Sequence, residues 1–401
     1  MNVCLVGPSP VPYVVGGVEN LLAGLQHHIA RLPDTHCELL KLPSREHDFW
    51  SLLASYEQFF RLDVSHFDLV ITTKYPAWMV RHPNHVCYVQ HRLRGLYDTY
   101  SFCGEPTAFS SDLPAVRRVL DVVEDARLRG KDGIERAFAA LAGLRAEAAS
   151  VPADVFRFPG PFIRKILMFL DDRAMNDGGV KRFLAISRTV AQRKEYFPAG
   201  ASVTVAHHPS FLTPGGGAPA VGGEPYILSV SRLDGPKRVG LLVEAMREVD
   251  RDIDLVVAGT GPQEPELRRL AAGDSRIRFL GYTPDLRLAD LYAGALAVAF
   301  VPYQEDYGLI TIEAMRAGKP VLTTSDAGGP NEFVVDGETG YSVAPQPGPL
   351  AERIRYFADN PGEAARMGSN ARERVAQVTW DATLAALLGR PAGPGPDLPG
   401  R

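Results

Sequence analysis

The sequence of 401 residues contains only four cysteines and no long apolar run. The cysteines form no C-x-x-C pair, so we expect buried, reduced thiols instead of a metal site or a disulfide. No stretch approaches the roughly 20 apolar residues that span a bilayer, and the N-terminus lacks the basic segment of a signal peptide. These features predict a cytoplasmic protein. The cysteines are Cys4, Cys37, Cys87 and Cys103.

Neither sign of charge dominates, and several catalytic motifs are missing. The 43 Lys and Arg residues face 47 Asp and Glu residues, and the net charge is -4. No global field therefore attracts nucleic acid.

The sequence has no P-loop, H-E-x-x-H or G-x-S-x-G motif, which excludes the enzyme classes that depend on them. The D-x-D pattern of Asp252 and Asp254 precedes a predicted strand, so we expect a structural role for it and no bound metal.

Short apolar runs alternate with amphipathic helical patterns along most of the chain. This rhythm is typical of a parallel, doubly wound α/β sheet, and the length favours two such domains. The predicted strands are residues 3–6, 38–40, 69–72, 86–89, 183–186 and 203–206 in the first half, and 226–230, 254–258, 277–280, 296–301, 321–323 and 341–343 in the second.

Proline and glycine mark the boundary between the two predicted domains. The segment 209–223 is dense in both residues and is predicted to be a linker. The predicted divisions are an N-terminal domain at 1–208 with a helical insertion at about 113–149, this linker, a C-terminal domain at 224–376, a helix at 377–390 that packs back on the N-terminal domain, and a disordered tail at 391–401.

Two cations follow the first strand of the predicted C-terminal domain. In open parallel sheets, ligands bind beyond the carboxyl ends of the strands. Arg232 and Lys237 lie there, in a Gly-Pro loop ahead of a predicted helix. A guanidinium fork and an ammonium next to a helix N-terminus suit a diphosphate. A solvated basic turn explains the same pattern equally well.

Two acids lie in the corresponding region after the buried strand 296–301. Glu305 is in the loop, and Glu313 is beside the apolar face of the next helix. A carboxylate there is costly unless a hydroxyl or a cation meets it, and the hydroxyls of a ribose or hexose would do so. The backbone N–H groups that follow Gly308 would be free to meet a phosphate. Alternatively, Glu305 stabilises the helix dipole and Glu313 is salt-bridged.

The predicted N-terminal domain carries weaker signals at its strand ends. Gly16 and Gly17 open a helix and allow close backbone approach of a charged ligand, although a plain turn explains them too. His91 follows the strand 86–89, and a histidine bonded to a neighbouring loop is the alternative there. Arg92 and Arg94 would either meet a ligand or be solvated.

Taken together, these motifs resemble the retaining GT-B glycosyltransferases of family 4. The resemblance covers most of the chain. Its motifs are Ser231-Arg232-Leu233 with Lys237-Arg238, the E-x7-E pair Glu305 and Glu313, the segments 328–332 and 336–340, the Gly-Gly-Val-Glu at 16–19, and a segment in which His91, Arg94, Tyr97 and Asp98 match mannosyltransferase-like members. Residues 91–94 read His-Arg-Leu-Arg, where those members have His-Thr-Pro-x-Arg.

The resemblance implies two Rossmann-like domains facing each other across a cleft, together with a role for each matched residue. Arg232 and Lys237 would bind the donor diphosphate, Glu305 the transferred sugar and Glu313 the ribose. His91 would lie near the sugar and the acceptor hydroxyl. The remaining implied contacts are Gly16, Gly17, Gly308, Leu309 and Ile310 with the phosphates, Tyr282 with the base, and Arg94 and Tyr97 with the acceptor.

The implied activity is retaining, metal-independent transfer of a hexose from a UDP- or GDP-sugar to a hydroxyl of a saccharide, a lipid-linked or a small acceptor, with no cofactor. The His91 segment suggests mannose. A sugar-nucleotide epimerase and a non-catalytic nucleotide-sugar-binding protein are the alternatives. The apolar stretch 162–170 predicts a buried helix more readily than a peripheral membrane contact, because it is short.

Overall fold

A computed structural model describes residues 1–11, 16–176, 179–212 and 225–389. The chain divides into two compact units. Of the described residues, the first unit contains Met1–Ile186, Val190–Ala206 and residues 384–389, and the second contains Ser187–Thr189 and His207–Thr383. The predicted tail and most of the predicted linker lie outside the described residues.

The first unit is a parallel sheet in the order β2-β1-β3-β4-β5-β6. Each of its strands contains or overlaps a predicted strand. They are β1 (Asn2–Pro10), β2 (His36–Ser44), β3 (Leu69–Thr72), β4 (His85–Val89), β5 (Arg182–Ala185) and β6 (Val203–Val205). Strands β3 and β4 are buried along their whole length. This fits runs without polar alternation, because both faces of a parallel sheet are covered.

Helices surround this sheet. They are α1 (Gly17–Ile29), α2 (Phe49–Phe60), α3 (Pro114–Glu124), α4 (Gly130–Ala146) and α5 (Pro161–Asn176). The short helix α6 (Arg188–Ala191) is divided between the two units. The predicted helical insertion corresponds to α3 and α4. Helix α5 carries the apolar stretch 162–170 and buries its large side chains, among them Phe162, Ile166 and Leu170, so this face is not open to a membrane. No helix in the described part of the chain is long and apolar enough to cross a bilayer.

The second unit is a parallel sheet in the order β12-β11-β10-β7-β8-β9. Its strands again coincide with the predicted ones. They are β7 (Tyr226–Val230), β8 (Asp254–Ala258), β9 (Ile277–Gly281), β10 (Ala297–Ala299), β11 (Val321–Thr324) and β12 (Gly340–Val343). The helices are α7 (Val239–Met246), α8 (Glu264–Leu270), α9 (Asp285–Gly294), α10 (Leu309–Arg316), α11 (Pro347–Asp359), α12 (Pro361–Arg374) and α13 (Trp380–Leu388).

The end of α13 groups with the first unit. Arg182, in β5, donates hydrogen bonds to the carbonyl oxygens of Ala386 (3.1 Å) and Leu387 (2.7 Å). The guanidinium thus meets carbonyl groups at a helix C-terminus, where a cation is favoured.

Each sheet has one point where the chain connections leave in opposite directions. It lies between β1 and β3 in the first unit and between β7 and β10 in the second. Ligands of open α/β sheets bind beyond the carboxyl ends of the strands at such a point. In the second unit this is where the loops that carry Lys237 and Glu305 begin.

Candidate functional site

Lys237 and Glu305 form an ion pair at the switch point of the second sheet. The Lys237 ammonium lies 2.6 Å from Glu305 Oε2, and the two side chains are 18% and 23% exposed. Lys237 lies in the loop after β7 and Glu305 in the loop after β10. The structure therefore brings together two residues that the sequence separates by 68 positions.

Arg238 fastens these two loops to a third. Its backbone is left-handed (φ +51°), and its guanidinium donates to the carbonyl oxygens of Val301 (3.0 Å) and Pro302 (2.7 Å). It also forms a bidentate pair with Asp326, at 2.7 and 2.8 Å, in the loop after β11. A guanidinium is the side chain suited to such multiple, fixed contacts. Arg238 thereby positions its neighbour Lys237 beside the loop that carries Glu305.

The backbone of Glu305 is held by the glycine pair that the sequence places at 328–329. Its N–H donates to Ala327 O (2.8 Å), and its carbonyl accepts from Gly329 N–H (2.9 Å). A Cβ at Gly328, where φ is +79°, would lie 2.5 Å from the carbonyl oxygen of Glu305. Glycine is required there, because the two loops approach at backbone distance.

Helix α10 begins directly after this loop. Gly308, with φ +78°, precedes it, and a Cβ there would lie 2.7 Å from Pro330. The N–H of Thr311 donates the first bond, to Gly308 O at 2.8 Å. The N–H groups of Leu309 and Ile310 precede that bond in the first turn, where helix N–H groups have no intrahelical partner. Their contact with a phosphate stays a prediction.

Arg232 is placed differently from Lys237. Its side chain is 71% exposed and bonds Asp234 Oδ2 at 2.7 Å. The neighbouring residue Leu233 is buried and is held by a hydrogen bond from its N–H to Thr260 O (2.9 Å) in the loop after β8. A Cβ at Gly261 would clash with the carbonyl of Leu233. The loop is thus fixed, while the Arg232 guanidinium is exposed and paired with Asp234.

Protein hydroxyls meet the carboxylate of Glu313. It accepts hydrogen bonds from Ser210 Oγ (2.6 Å) and Tyr292 Oη (2.9 Å), and burial raises its pKa. The expectation that a hydroxylic partner meets this acid holds, with side chains in that role. Within the described residues no cation pairs with Glu313, so the salt-bridge alternative is not what the structure contains.

Tyr282 follows β9 directly and is 79% exposed, and Leu286 nearby in sequence is 87% exposed. An exposed ring next to a strand end offers a stacking surface to a planar ligand. Its predicted contact with a base stays a prediction.

In the first unit, the predicted glycines lie at the start of α1. Gly16 N–H donates to Glu19 Oε2 (3.1 Å), and Glu19 also pairs with Lys41 at 3.4 Å. No heavy atom of the described residues lies within 4 Å of the position of a Cβ at Gly17. The backbone at Gly17 is therefore open to close approach, although its contact with a phosphate is untested.

His91 lies half-buried among titratable residues at the carboxyl edge of the first sheet. Its Nδ1 is 2.8 Å from Arg92 O, so the tautomer that donates to this carbonyl leaves Nε2 as an acceptor. Burial, and next the charge of Lys74, lower its pKa to about 4. Glu46 lies 3.5 Å from Lys74 and accepts from the Tyr75 hydroxyl at 2.6 Å. The sequence analysis missed these three residues; the position of Lys74 directly after β3 was the available signal.

Tyr97 belongs to a buried network, and its predicted contact with an acceptor stays a prediction. Its side chain is 6% exposed, and its hydroxyl donates to Asp171 Oδ2 (2.6 Å) and accepts from Arg92 Nη1 (2.8 Å). Trp78 Nε1 donates to the other oxygen of Asp171 at 2.7 Å. Arg92 and Tyr97 thus stabilise the core of the first unit. Arg94 pairs with Asp98 at 2.9 Å, is a quarter exposed, and keeps its predicted role as a prediction.

One smaller prediction concerns the acids of the D-x-D pattern, and two histidines of the second unit lie in packed positions. Asp254 pairs with Arg278 at 2.7 Å, which is a structural role. His208 is buried and His207 bonds Glu332 at 3.0 Å, both as packing residues. No group of three His, Cys, Asp or Glu in the described ranges lies in a metal-binding arrangement. Independence from metal and cofactor stays a prediction.

Comparison with known proteins identifies what the second unit resembles. Residues 218–374 match the family Glycosyl transferases group 1. The D-inositol 3-phosphate glycosyltransferase 2 of Catenulispora acidiphila is 37% identical over 178 residues, which are 40% of this chain and 41% of that protein. The match thus spans about two fifths of the curated relative.

Solved structures match over the whole chain. Sucrose-phosphate synthase from Thermosynechococcus elongatus aligns over 97% of both chains with a TM-score of 0.63 and 19% identity. HepE of Anabaena in complex with UDP-glucose aligns over 97% of this chain and 98% of its own, with a TM-score of 0.60 and 16% identity. The GT-B fold and the resemblance to glycosyltransferases are confirmed, whereas family 4 and retention stay predictions.

Proposed function

With this kinship as the premise, we propose that the chain transfers a hexosyl group from a nucleoside-diphosphate sugar to a hydroxyl acceptor, without a metal ion and with retention at the anomeric carbon. One observation carries the proposal. The Lys237–Glu305 pair lies at the switch point of the second sheet, in the loops that lead to the N-terminus of α10. One side of that site suits a diphosphate and the other a sugar.

Charge development in the reaction explains the residue types. Breaking the bond between the anomeric carbon and the diphosphate leaves negative charge on the leaving group. Lys237, the exposed Arg232 and the N–H groups of Leu309 and Ile310 would stabilise that charge in place of a metal ion. Glu305 would accept hydrogen bonds from hydroxyls of the transferred sugar. Retention is an implication of the resemblance to family 4.

The nucleoside would contact Glu313 and Tyr282, which also belong to the second unit. A ribose hydroxyl would replace Ser210 Oγ on Glu313, while Tyr292 keeps the second hydrogen bond. The base would stack on Tyr282. HepE binds UDP-glucose, whereas the His91 segment suggests GDP-mannose, so both donors belong in the test.

The acceptor would bind the first unit at His91. The neutral imidazole offers Nε2 to a hydroxyl, and Lys74, Glu46 and Tyr75 are the polar groups beside it. A polyol is the matching chemistry, because donors and acceptors are both present. The Catenulispora relative is named for an inositol phosphate, which makes inositol phosphates reasonable members of an acceptor panel.

A donor and acceptor screen tests the proposal. Purified protein is incubated with UDP- and GDP-hexoses, with and without saccharide and polyol acceptors, and nucleoside diphosphate release is measured in the presence of a chelator. We expect acceptor-stimulated release with one donor and a product of unchanged anomeric configuration by NMR. Isomerised donor without release would instead indicate an epimerase, and binding without turnover a non-catalytic protein. Loss of activity in chelator would refute metal independence.

Calorimetry separates nucleotide binding from turnover. Glu313→Gln should weaken binding of the free nucleoside diphosphate, because a neutral amide accepts a ribose hydrogen bond less strongly than a carboxylate. Glu338→Gln, on a loop of the same unit, is the matched control. Equal affinity of both variants would contradict the assignment of Glu313 to the ribose.

A further inference from the structure

A pocket in the second unit lies at the opposite edge of the sheet from Lys237 and Glu305. It lies at the amino ends of two strands, where Leu296 precedes β10 and Lys319 precedes β11. Its other wall is helix α12. The pocket has a volume of about 220 Å³. This is below the ~300–1,000 Å³ of sites for drug-sized ligands, so its occupant would be small.

The charge of this pocket is one-sided. Its polar lining consists of Lys319, Arg372 and Ser369, and no lining residue is acidic. Across the part of the chain that is described, neither Lys319 nor Arg372 has an ion pair or a side-chain hydrogen bond. Burial, and next repulsion from Arg372, lower the pKa of Lys319. Two cations are thus held together without a counter-charge.

The backbone holds the two cations in place. Gly318 is left-handed (φ +70°), and a Cβ there would clash with the guanidinium of Arg372. A Cβ at Gly368 would clash with the carbonyl of Gly318. This pair of glycines lets α12 pack directly on the turn before β11. Arg372 therefore lies against the residue that precedes Lys319, as a consequence of tight packing.

The negative end of the α10 dipole offsets only part of the positive charge of Lys319 and Arg372. Helix α10 ends at Arg316, next to the pocket, and a helix C-terminus is equivalent to about half a negative charge. Two full positive charges exceed that by about 1.5 charges. The last N–H groups of the turn, those of Gly318 and Lys319, bond the carbonyls of Met315 and Ala314. A considerable excess of positive charge is left for a ligand.

We infer that this pocket binds a phosphate dianion, either inorganic phosphate or the phosphoryl group of a phosphorylated sugar. Lys319 and Arg372 supply the charge, and the hydroxyl of Ser369, one helical turn before Arg372, supplies a further donor. Phosphate has the acceptor oxygens and the double charge that such a pair of cations recognises. The site is separate from the Lys237 site and does not depend on the activity proposed above.

Calorimetry with inorganic phosphate and with glucose 6-phosphate tests the site, each titrated into wild-type protein, Lys319→Gln, Arg372→Gln and Lys237→Gln. Charge-assisted bonds to phosphate are strong, so we expect affinity to fall about tenfold or more in the first two variants. Lys237→Gln and Arg366→Gln, an exposed α12 arginine paired with Glu363, should keep the affinity of this site. Tighter binding of the sugar phosphate would identify it as the ligand, and equal binding would identify the free ion.

Thermal unfolding distinguishes a ligand site from a structural role. In phosphate-free buffer, Lys319→Gln should unfold at the same temperature as wild type or higher, because a repulsion is removed. Added phosphate should raise the unfolding temperature of wild type and not of the variant. Loss of stability without phosphate would show that Lys319 serves to cap α10 and would overturn the proposal. Equally weak binding in wild type and all variants would mean an adventitious ion only, with the same consequence.

Discussion

The two units place their charged residues in opposite ways. In the second unit, Lys237 and Glu305 pair at the rim of the sheet, where a ligand can reach them. In the first unit, Arg92 follows β4 in the same manner but turns inward to Asp171, and its side chain is 6% exposed. A charged residue that follows a strand is therefore predicted to lie at the edge of the sheet. Whether its side chain faces a ligand or the core depends on where its counter-charge lies.

The largest expected effect would come from breaking the buried pair of the first unit. Asp171→Ala leaves Arg92 buried and unpaired, and we expect a loss of about 3–5 kcal/mol in the free energy of unfolding. Asp121→Ala, which removes an exposed pair with Arg117, should cost within about 1 kcal/mol. Chemical denaturation measures both. Similar costs would mean that the two kinds of ion pair are not energetically distinct.

In the second unit the matching change should affect turnover. Lys237→Ala should lower kcat/KM about 10²–10³-fold, because a cation at the leaving group is lost. Arg247→Ala, on the far end of α7, should leave kcat/KM unchanged, since Arg247 bonds only the carbonyl of Leu270 among its described partners. Wild-type kcat/KM in Lys237→Ala would refute the site.

Tyr97→Phe tests whether Tyr97 serves the buried network of the first unit or the acceptor. Removal of the hydroxyl leaves Asp171 and Arg92 each short of one hydrogen bond, so we expect a loss of about 1–3 kcal/mol in stability. The KM for the acceptor should not change. A raised acceptor KM with unchanged stability would restore Tyr97 to the acceptor site.

Acid sensitivity should be concentrated in buried histidines. Burial lowers the pKa of His85 to about 3, and of His91 and His208 to about 4. Unfolded histidine titrates near 6.5, so below that pH the unfolded chain binds more protons and stability falls as pH falls towards these values. Each histidine contributes up to about 1.4 kcal/mol per pH unit.

His85→Gln should therefore flatten the fall in unfolding free energy below about pH 6.5, measured by denaturation at a series of pH values. His36→Gln, at an exposed histidine, is the matched control for the loss of a histidine outside the core. An unchanged slope in His85→Gln would show that His85 is not held neutral by the fold.

Local pattern was sufficient to predict the strands and to single out Lys237 and Glu305 in the loops that follow β7 and β10. Apolar runs without alternation fix β3, β8 and β10, and glycines at 308 and 328–329 mark close loop contacts. The partners of these residues could not be predicted, because they are distant in sequence. Ser210 meets Glu313 across 103 positions, and Asp171 meets Arg92 across 79. Only tertiary packing determines such pairs. Packing also buries Tyr97 while it leaves Arg94, three residues earlier, partly exposed.

The contact between Lys237 and Glu305 has a consequence for discrimination among ligands. Because the ammonium and the carboxylate neutralise each other, a ligand that separates them must offer a partner to both. The diphosphate of a nucleoside diphosphate would pair with Lys237 and leave Glu305 without a partner. An intact sugar nucleotide would also offer its sugar hydroxyls to Glu305. Binding of the proposed product would therefore cost the free energy of the broken ion pair, whereas the proposed substrate compensates for it. Re-formation of the pair would favour product release.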